Sequence, residues 1–174
     1  MPKNKALFLD RDGVVCEAMP RGEYLVRQEQ FKLVPGIAEL VGHAKKKGYL
    51  VVVATNQGAI AKDLISIDDL ESIHENMQGL LTGIDKVYYC PHYTQHNCAC
   101  RKPKPGMLTQ AAADLDIDLT SSVFVGDSNT DIEAGKAAGC KTIFLNNAWN
   151  AHELARCSPD VVVDALADVH SLLA

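Results

Sequence analysis

The sequence predicts a doubly wound, Rossmann-like α/β fold, a parallel sheet with helices on both faces. Three observations carry that prediction. Short runs recur that are apolar throughout rather than alternating, as strands buried on both faces are. Segments of helical periodicity separate them, the order in which crossovers connect parallel strands. And 174 residues, 47% hydrophobic and 22% charged, suit one domain with a core of its own, spanning 1–174.

The first strand is read in "KALFLD" (5–10). A helix over 36–47 follows, opened by Pro35-Gly36, where the missing N–H of proline costs nothing, and closed by Gly48. "YLVVVAT" (49–55) is the second strand, and Ser66 caps a helix over 67–81. "DKVYYC" (85–90) is the third, with Pro105-Gly106 opening a helix over 105–115. "SVFVGD" (122–127) precedes a helix over 130–138 that ends at Gly139, a left-handed cap. "KTIFLN" (141–146) and a short strand at 160–163 lead to a last helix over 164–173 with Asp164 as its N-cap. The two longest irregular stretches, 17–34 and 89–104, both follow strand ends.

Composition excludes some functions. A formal charge of -5 speaks against general nucleic-acid binding, which needs a basic face. No window approaches the roughly 20 apolar residues of a membrane helix, and the apolar run near the start is shorter than a signal peptide core of about 7 to 15. The expectation is a cytoplasmic monomer whose partner is a small molecule. Of six cysteines, Cys16, Cys90, Cys98, Cys100, Cys140 and Cys157, three fall within eleven residues. In a reducing compartment that clustering suggests a metal before a disulfide.

In doubly wound sheets ligands bind beyond the carboxyl ends of the strands. Those ends carry Asp10 and Asp12, Thr55 and Asn56, the segment "CRKPKPG" with Arg101, Lys102 and Lys104, and Asp127 and Asp131. As a set they suit a phosphate. Asp10 offers a carboxylate nucleophile, and a divalent cation shared with Asp127 would cancel its repulsion from the phosphate; oxygen ligands favour Mg²⁺. The Thr55 hydroxyl and the Asn56 amide can hold peripheral oxygens, and Lys102 adds a point charge. Asp12, two residues past the nucleophile, can act as acid for the leaving alkoxide and as base for water. Each signal alone is ordinary turn chemistry; it is their joint occurrence on four strand ends that points to phosphoryl transfer. Arg11, between the two aspartates, points elsewhere by strand alternation and reads as structural.

The motifs "DRDG", "TNQ", "RKPKPG" and "GDSNTD" resemble those of the haloacid dehalogenase superfamily of phosphohydrolases. Within it the chain is most similar to the small histidinol-phosphate and D-glycero-D-manno-heptose 1,7-bisphosphate phosphatases. The resemblance implies a phospho-aspartate at Asp10 and acid/base work by Asp12. It places Thr55, Asn56 and Lys102 on the phosphate and Mg²⁺ on Asp10, the Asp12 backbone carbonyl and Asp127, with Asp131 behind them. It also implies that Arg101 contacts substrate.

"CPHYTQHNCAC" offers Cys90, His92, Cys98 and Cys100, two pairs of ligands spaced i, i+2 around a five-residue loop, the make-up of a closed tetrahedral zinc site. The same subfamily carries such a zinc loop here. With no open position the zinc would be structural, shaping the 90–100 loop that delivers Lys102. His96 is left out as an exposed loop residue.

About two dozen residues separate the first strand from the first helix, too few for a large cap domain, so specificity falls to loops. Arg21, Arg27 and Arg101 are candidate anchors for a second anionic group and Tyr24 for a ring face. The lead substrate is the heptose 1,7-bisphosphate, losing its 7-phosphate. Histidinol phosphate is the alternative, because the five-residue gap between His92 and Cys98 is short as in its phosphatases. Non-enzymatic readings, a receiver-like signalling domain or a zinc-stabilised binding module, are opposed by Asp12, since a receiver needs its phospho-aspartate to persist.

Overall fold

The computed structural model describes residues 3–174. Its six parallel strands are β1 (Lys5–Leu9), β2 (Tyr49–Asn56), β3 (Lys86–Cys90), β4 (Val123–Gly126), β5 (Lys141–Leu145) and β6 (Val161–Val163). They lie in the order β3-β2-β1-β4-β5-β6. Alternate residues of the central strands feed opposite faces. Leu7, Leu9, Val51, Val53, Val123 and Val125 enter the larger core, and Ala6, Phe8, Val52, Ala54 and Phe124 the smaller one. Because both faces are apolar, the strands read as continuous apolar runs.

The helices are α1 (Ile37–Lys46), α2 (Ile67–Leu80), α3 (Gly106–Leu115), α4 (Asn129–Ala138), α5 (Ala151–Leu154) and α6 (Leu166–Val169). Apolar residues of α1, α2 and α6 fill the larger core, and those of α3 and α4 the smaller. The predicted layers are therefore present. Ser66 caps α2 through a hydrogen bond from the Asp69 N–H at 3.0 Å, and Gly139 caps α4 at φ 87°.

Some ends differ from expectation. Gly36, at φ 87°, is itself the N-cap of α1, so Pro35 lies outside that helix, and Pro105 caps α3 rather than starting it. Helix α4 begins at Asn129 because Ser128 and Asp131 form a reciprocal capping box. The last helix is shorter than 164–173: α6 starts after Ala165 and tightens into a 3₁₀ turn over His170–Leu172. Asp164 does not cap it, because its carboxylate accepts a hydrogen bond from Asn146 Nδ2 at 2.8 Å.

The 17–34 stretch is tied back to the sheet edge by bridges from Cys16 to Asp12 and to Leu33, and holds only a 3₁₀ turn, Gln28–Gln30. Nothing between β1 and α1 could cover the strand ends as a cap domain would. Among the described residues no helix is long and apolar enough to cross a membrane. The chain runs outward from β1 in one direction through β2 and β3, and in the other through β4 to β6. Their divergence opens a crevice above β1 and its neighbours.

Candidate active site

Asp10 follows β1 directly, and its N–H still pairs with the Val125 carbonyl at 3.1 Å, so the sheet fixes its backbone. Lys102 arrives from the loop after β3 and is buried. Its ammonium donates to Asp10 Oδ1 at 2.8 Å, Asp131 Oδ1 at 2.6 Å and the Ala54 carbonyl at 2.8 Å, using all three hydrogens. Asp127 follows β4 and Asp131 sits in the first turn of α4. One ammonium thus faces three carboxylates.

That imbalance shows in their proton affinities. Burial, then the charge of Asp131, pushes Asp10 up to about 7 despite the Lys102 pair. Burial, then Asp10 and Asp131, holds Asp127 well above the usual carboxylate range. Burial pulls Lys102 down, but Asp10 and Asp131 together outweigh it and raise it. One oxygen each from Asp10, Asp127 and Asp131 lies within 4.8 Å of the others. Converging hard oxygens with excess negative charge fit a divalent cation such as Mg²⁺. Gly13, at φ 93°, is part of this fit, because a Cβ there would run into Asp127 Oδ2. Asp131 is committed elsewhere. Its Oδ2 accepts from the Asp127 N–H, the Ser128 N–H and the Ser128 hydroxyl at 3.2, 3.1 and 2.8 Å, so it builds the turn that presents Asp127.

Asp12 lies to the side, gripped by the buried Arg11 at 2.9 to 3.1 Å and by Gln57 Nε2 at 3.0 Å. Arg11, expected to point away as a structural residue, instead reaches the second aspartate of the motif. The chain turns after Asp10, so strand alternation no longer governs it. Thr55 Oγ1 accepts from the same Gln57 amide at 2.9 Å. Asn56 differs from expectation in one respect: it clamps the Lys102 backbone, donating to its carbonyl at 3.1 Å and accepting from its N–H at 3.0 Å. One amide hydrogen is thereby spent on positioning Lys102.

Cys90, His92, Cys98 and Cys100 converge as predicted, their ligand atoms within 4.8 Å of one another. The sulfurs of Cys90, Cys98 and Cys100 are 3.0 to 3.5 Å apart, and His92 Nδ1 is 3.3 Å from Cys100 and 3.7 Å from Cys90. Zn–S bonds of about 2.3 Å give tetrahedral edges of about 3.8 Å, so a modest expansion seats zinc. Burial works upward on Cys98, but hydrogen bonds from Cys100 and from the Arg101 backbone win and bring it down to about 6. His96 stays outside the cluster and accepts from the Tyr93 N–H through Nδ1 at 3.0 Å.

A cavity of about 160 Å³ lined by Asp10, Asp12, Thr55, Asn56 and Lys102 opens at the strand ends. A second, of about 310 Å³, adjoins it through Asn56, Lys102 and Thr130 and adds Arg101 and Lys104. Arg101 also donates to the His92 carbonyl at 2.9 Å, tying it to the cysteine and histidine loop. Arg21 and Arg27 are exposed and line neither cavity. Tyr24 lines neither cavity; its ring lies 4.9 Å from Lys62 Nζ, which also faces Tyr93 at 4.8 Å. Gln57, His74, Lys62 and Asn150 were not singled out from sequence; only the glutamine of "TNQ" lay inside a motif. Asn150 donates to the Asp127 carbonyl at 3.0 Å and to the Leu145 carbonyl at 2.9 Å, pinning the Asp127 turn to β5.

The HAD-hydrolase-like family profile matches residues 99–169. The chain is 40% identical to a D-glycero-alpha-D-manno-heptose-1,7-bisphosphate 7-phosphatase of Burkholderia mallei, covering 92% of this chain and 89% of that one. It is 39% identical to a D-glycero-beta-D-manno-heptose-1,7-bisphosphate 7-phosphatase of Helicobacter pylori, covering 90% and 94%. Among solved structures it is similar to the D,D-heptose 1,7-bisphosphate phosphatase of B. bronchiseptica complexed with magnesium and phosphate. That likeness has a TM-score of 0.87 and 32% identity over 97% of both chains.

Proposed function

Because the chain belongs to the haloacid dehalogenase-like hydrolases, in the branch of the heptose bisphosphate phosphatases, we propose that it removes the 7-phosphate of D-glycero-D-manno-heptose 1,7-bisphosphate. The observation that carries this reading is the pairing of Asp10 with Lys102 at 2.8 Å beside a second aspartate two residues on, at the end of the central strand. A nucleophile, a fixed cation and an acid/base group are what monoester hydrolysis needs from side chains.

An Asp10 oxygen attacks phosphorus in line, and the bond from phosphorus to the C7 oxygen breaks as Asp12 gives that oxygen its proton. Asp12, now a carboxylate, takes a proton from the water that attacks the phospho-aspartate, and Asp10 is released with inorganic phosphate. Thr55, whose oxygen accepts from Gln57 and whose hydrogen is left to donate, holds a peripheral oxygen, Lys102 adds its positive charge beside the phosphate, and Asn56 keeps Lys102 in place. Mg²⁺, held by the Asp10 and Asp127 carboxylates and the Asp12 backbone carbonyl, would screen the nucleophile from the charge of the phosphate. The phosphate fits the smaller cavity and the sugar the larger, where Arg101 and Lys104 stand ready for the second phosphate. Zinc on Cys90, His92, Cys98 and Cys100 is structural in this reading. The enzyme works as a cytoplasmic monomer on a small phosphate ester, with no role for nucleic acid or membrane.

The test is a kcat/KM comparison, with Mg²⁺, over sugar phosphates, both heptose bisphosphates and histidinol phosphate. Highest turnover on a heptose 1,7-bisphosphate, with phosphate lost from C7, is the expected result. The short span between His92 and Cys98 favours histidinol phosphate as the second reading, and a preference for it would displace the first.

A further inference from the structure

Beside the nucleophile lies a buried cation that the reaction above does not use. Arg11 is 1% exposed, and each of its three guanidinium nitrogens has a partner. Nε and Nη2 donate to Asp12 Oδ1 at 3.0 and 2.9 Å, and Nη2 also reaches Asp12 Oδ2 and Gln57 Oε1, each at 3.1 Å. Nη1 meets His74 Nε2, on α2, at 3.2 Å. A guanidinium has no acceptor, so His74 must accept, as a neutral imidazole with its lone pair on Nε2. Burial and then the charge of Arg11 lower the His74 pKa to about 4, in keeping with that role. Gln57 is oriented in turn: with Oε1 on Arg11, its amide faces Asp12 Oδ2 and Thr55 Oγ1 at 3.0 and 2.9 Å.

Both Asp12 oxygens thus take donors from the protein side, with the Cys16 thiol a further 3.5 Å contact. Yet the Asp12 side chain is 34% exposed and lines the 160 Å³ cavity. It is held from behind and open in front. Burying a guanidinium is costly unless it is fully paired, and a cap or turn would not require it.

We infer that Arg11, Gln57 and His74 are positioning residues that aim the Asp12 carboxyl at the leaving oxygen. Arg11 grips the carboxyl plane at two points, and His74 fixes the plane of the guanidinium. The inference rests on the phosphatase reading above. The only proton moved is the one Asp12 gives to the departing oxygen and later regains from water; the three supporting residues exchange none.

The experiment compares kcat/KM, which reports the step that expels the alcohol, for two leaving groups. The C7 oxygen of a sugar 7-phosphate is a strongly basic alkoxide that needs the proton to depart, whereas 4-nitrophenyl phosphate expels 4-nitrophenolate, a weakly basic anion that departs without one. Arg11→Lys keeps the charge but loses the planar fork. It is expected to lower kcat/KM for the sugar ester by about 100-fold, with a far smaller loss on the aryl ester. His74→Leu should reproduce that selective loss, and His74→Gln, which keeps an acceptor, should restore most of it. Circular dichroism melts identify which variants fold, and His74→Leu carries the test if Arg11→Lys does not. Equal losses on both esters, or none on either, overturn the inference. A parent protein inactive on both would instead sink the phosphatase reading itself.

Discussion

At the scale of single residues, the cluster around Asp10 is defined by more negative charge than its own cation balances. Asp10→Asn removes the carboxylate proposed as nucleophile, and Mg²⁺-dependent phosphate release should fall to background in a coupled phosphate assay; turnover near the parent rate would remove Asp10 as nucleophile. Buried His74 gives a stability prediction of definite sign. Its pKa falls from 6.5 to about 4 on folding, so its contribution is full above about 6.5 and is lost as pH drops toward 4. Urea unfolding of the parent and of His74→Gln should therefore differ in pH slope across that window, by up to about 1.4 kcal/mol per pH unit. Parallel slopes would contradict a buried neutral imidazole. Asp10, Asp12, Thr55, Lys102 and Asp127 were legible in the sequence because each ends or follows a strand. His74 was not: it lies 63 residues from Arg11, and only the packing of α2 over the sheet brings them together.

Among elements, the loop that carries Cys90, His92, Cys98 and Cys100 decides where Lys102 stands. It runs from the end of β3 to Gly106, whose Cα approaches the Ala99 carbonyl so closely that a side chain there would collide with it. Metal analysis should find about one zinc per chain. Replacing Cys98 with serine should raise amide exchange over residues 91–102 and lower kcat, with α1 and β5 still protected. Unchanged exchange in a zinc-free protein would mean that the loop holds itself. The convergence of Cys90, His92, Cys98 and Cys100 could be read from spacing alone, because a short loop leaves them few places to go. The strands were equally legible, since burial on both faces leaves an unbroken apolar run. Helix ends were less so: Asp164 has the character of a cap, but Asn146 claims its carboxylate across the sheet.

For the whole molecule, the gathered acids lead to the expectation that a divalent cation bound among them would stabilise the fold. At Mg²⁺ about 100 times its Kd, binding adds about 2.7 kcal/mol, a Tm rise of about 5 to 10 °C by calorimetry for a chain of this size. Asp127→Asn should abolish most of that rise, and an equal rise in both proteins would place the cation elsewhere. The sheet order could not be read from the sequence, because buried apolar strands pair with one another almost indifferently and their order is settled by crossovers and packing. That order has a consequence in time. With β1 at the centre, both of its neighbours come later in the chain, and Lys102 reaches Asp10 from 92 residues away. A ribosome releases Asp10 well before Lys102, Asp127 and Asp131, so the emerging polypeptide carries that aspartate without its partners until they are free to dock. In the proposed phosphatase, activity would need both sides of the sheet, and its recovery after dilution from denaturant would clock their final closure rather than early collapse.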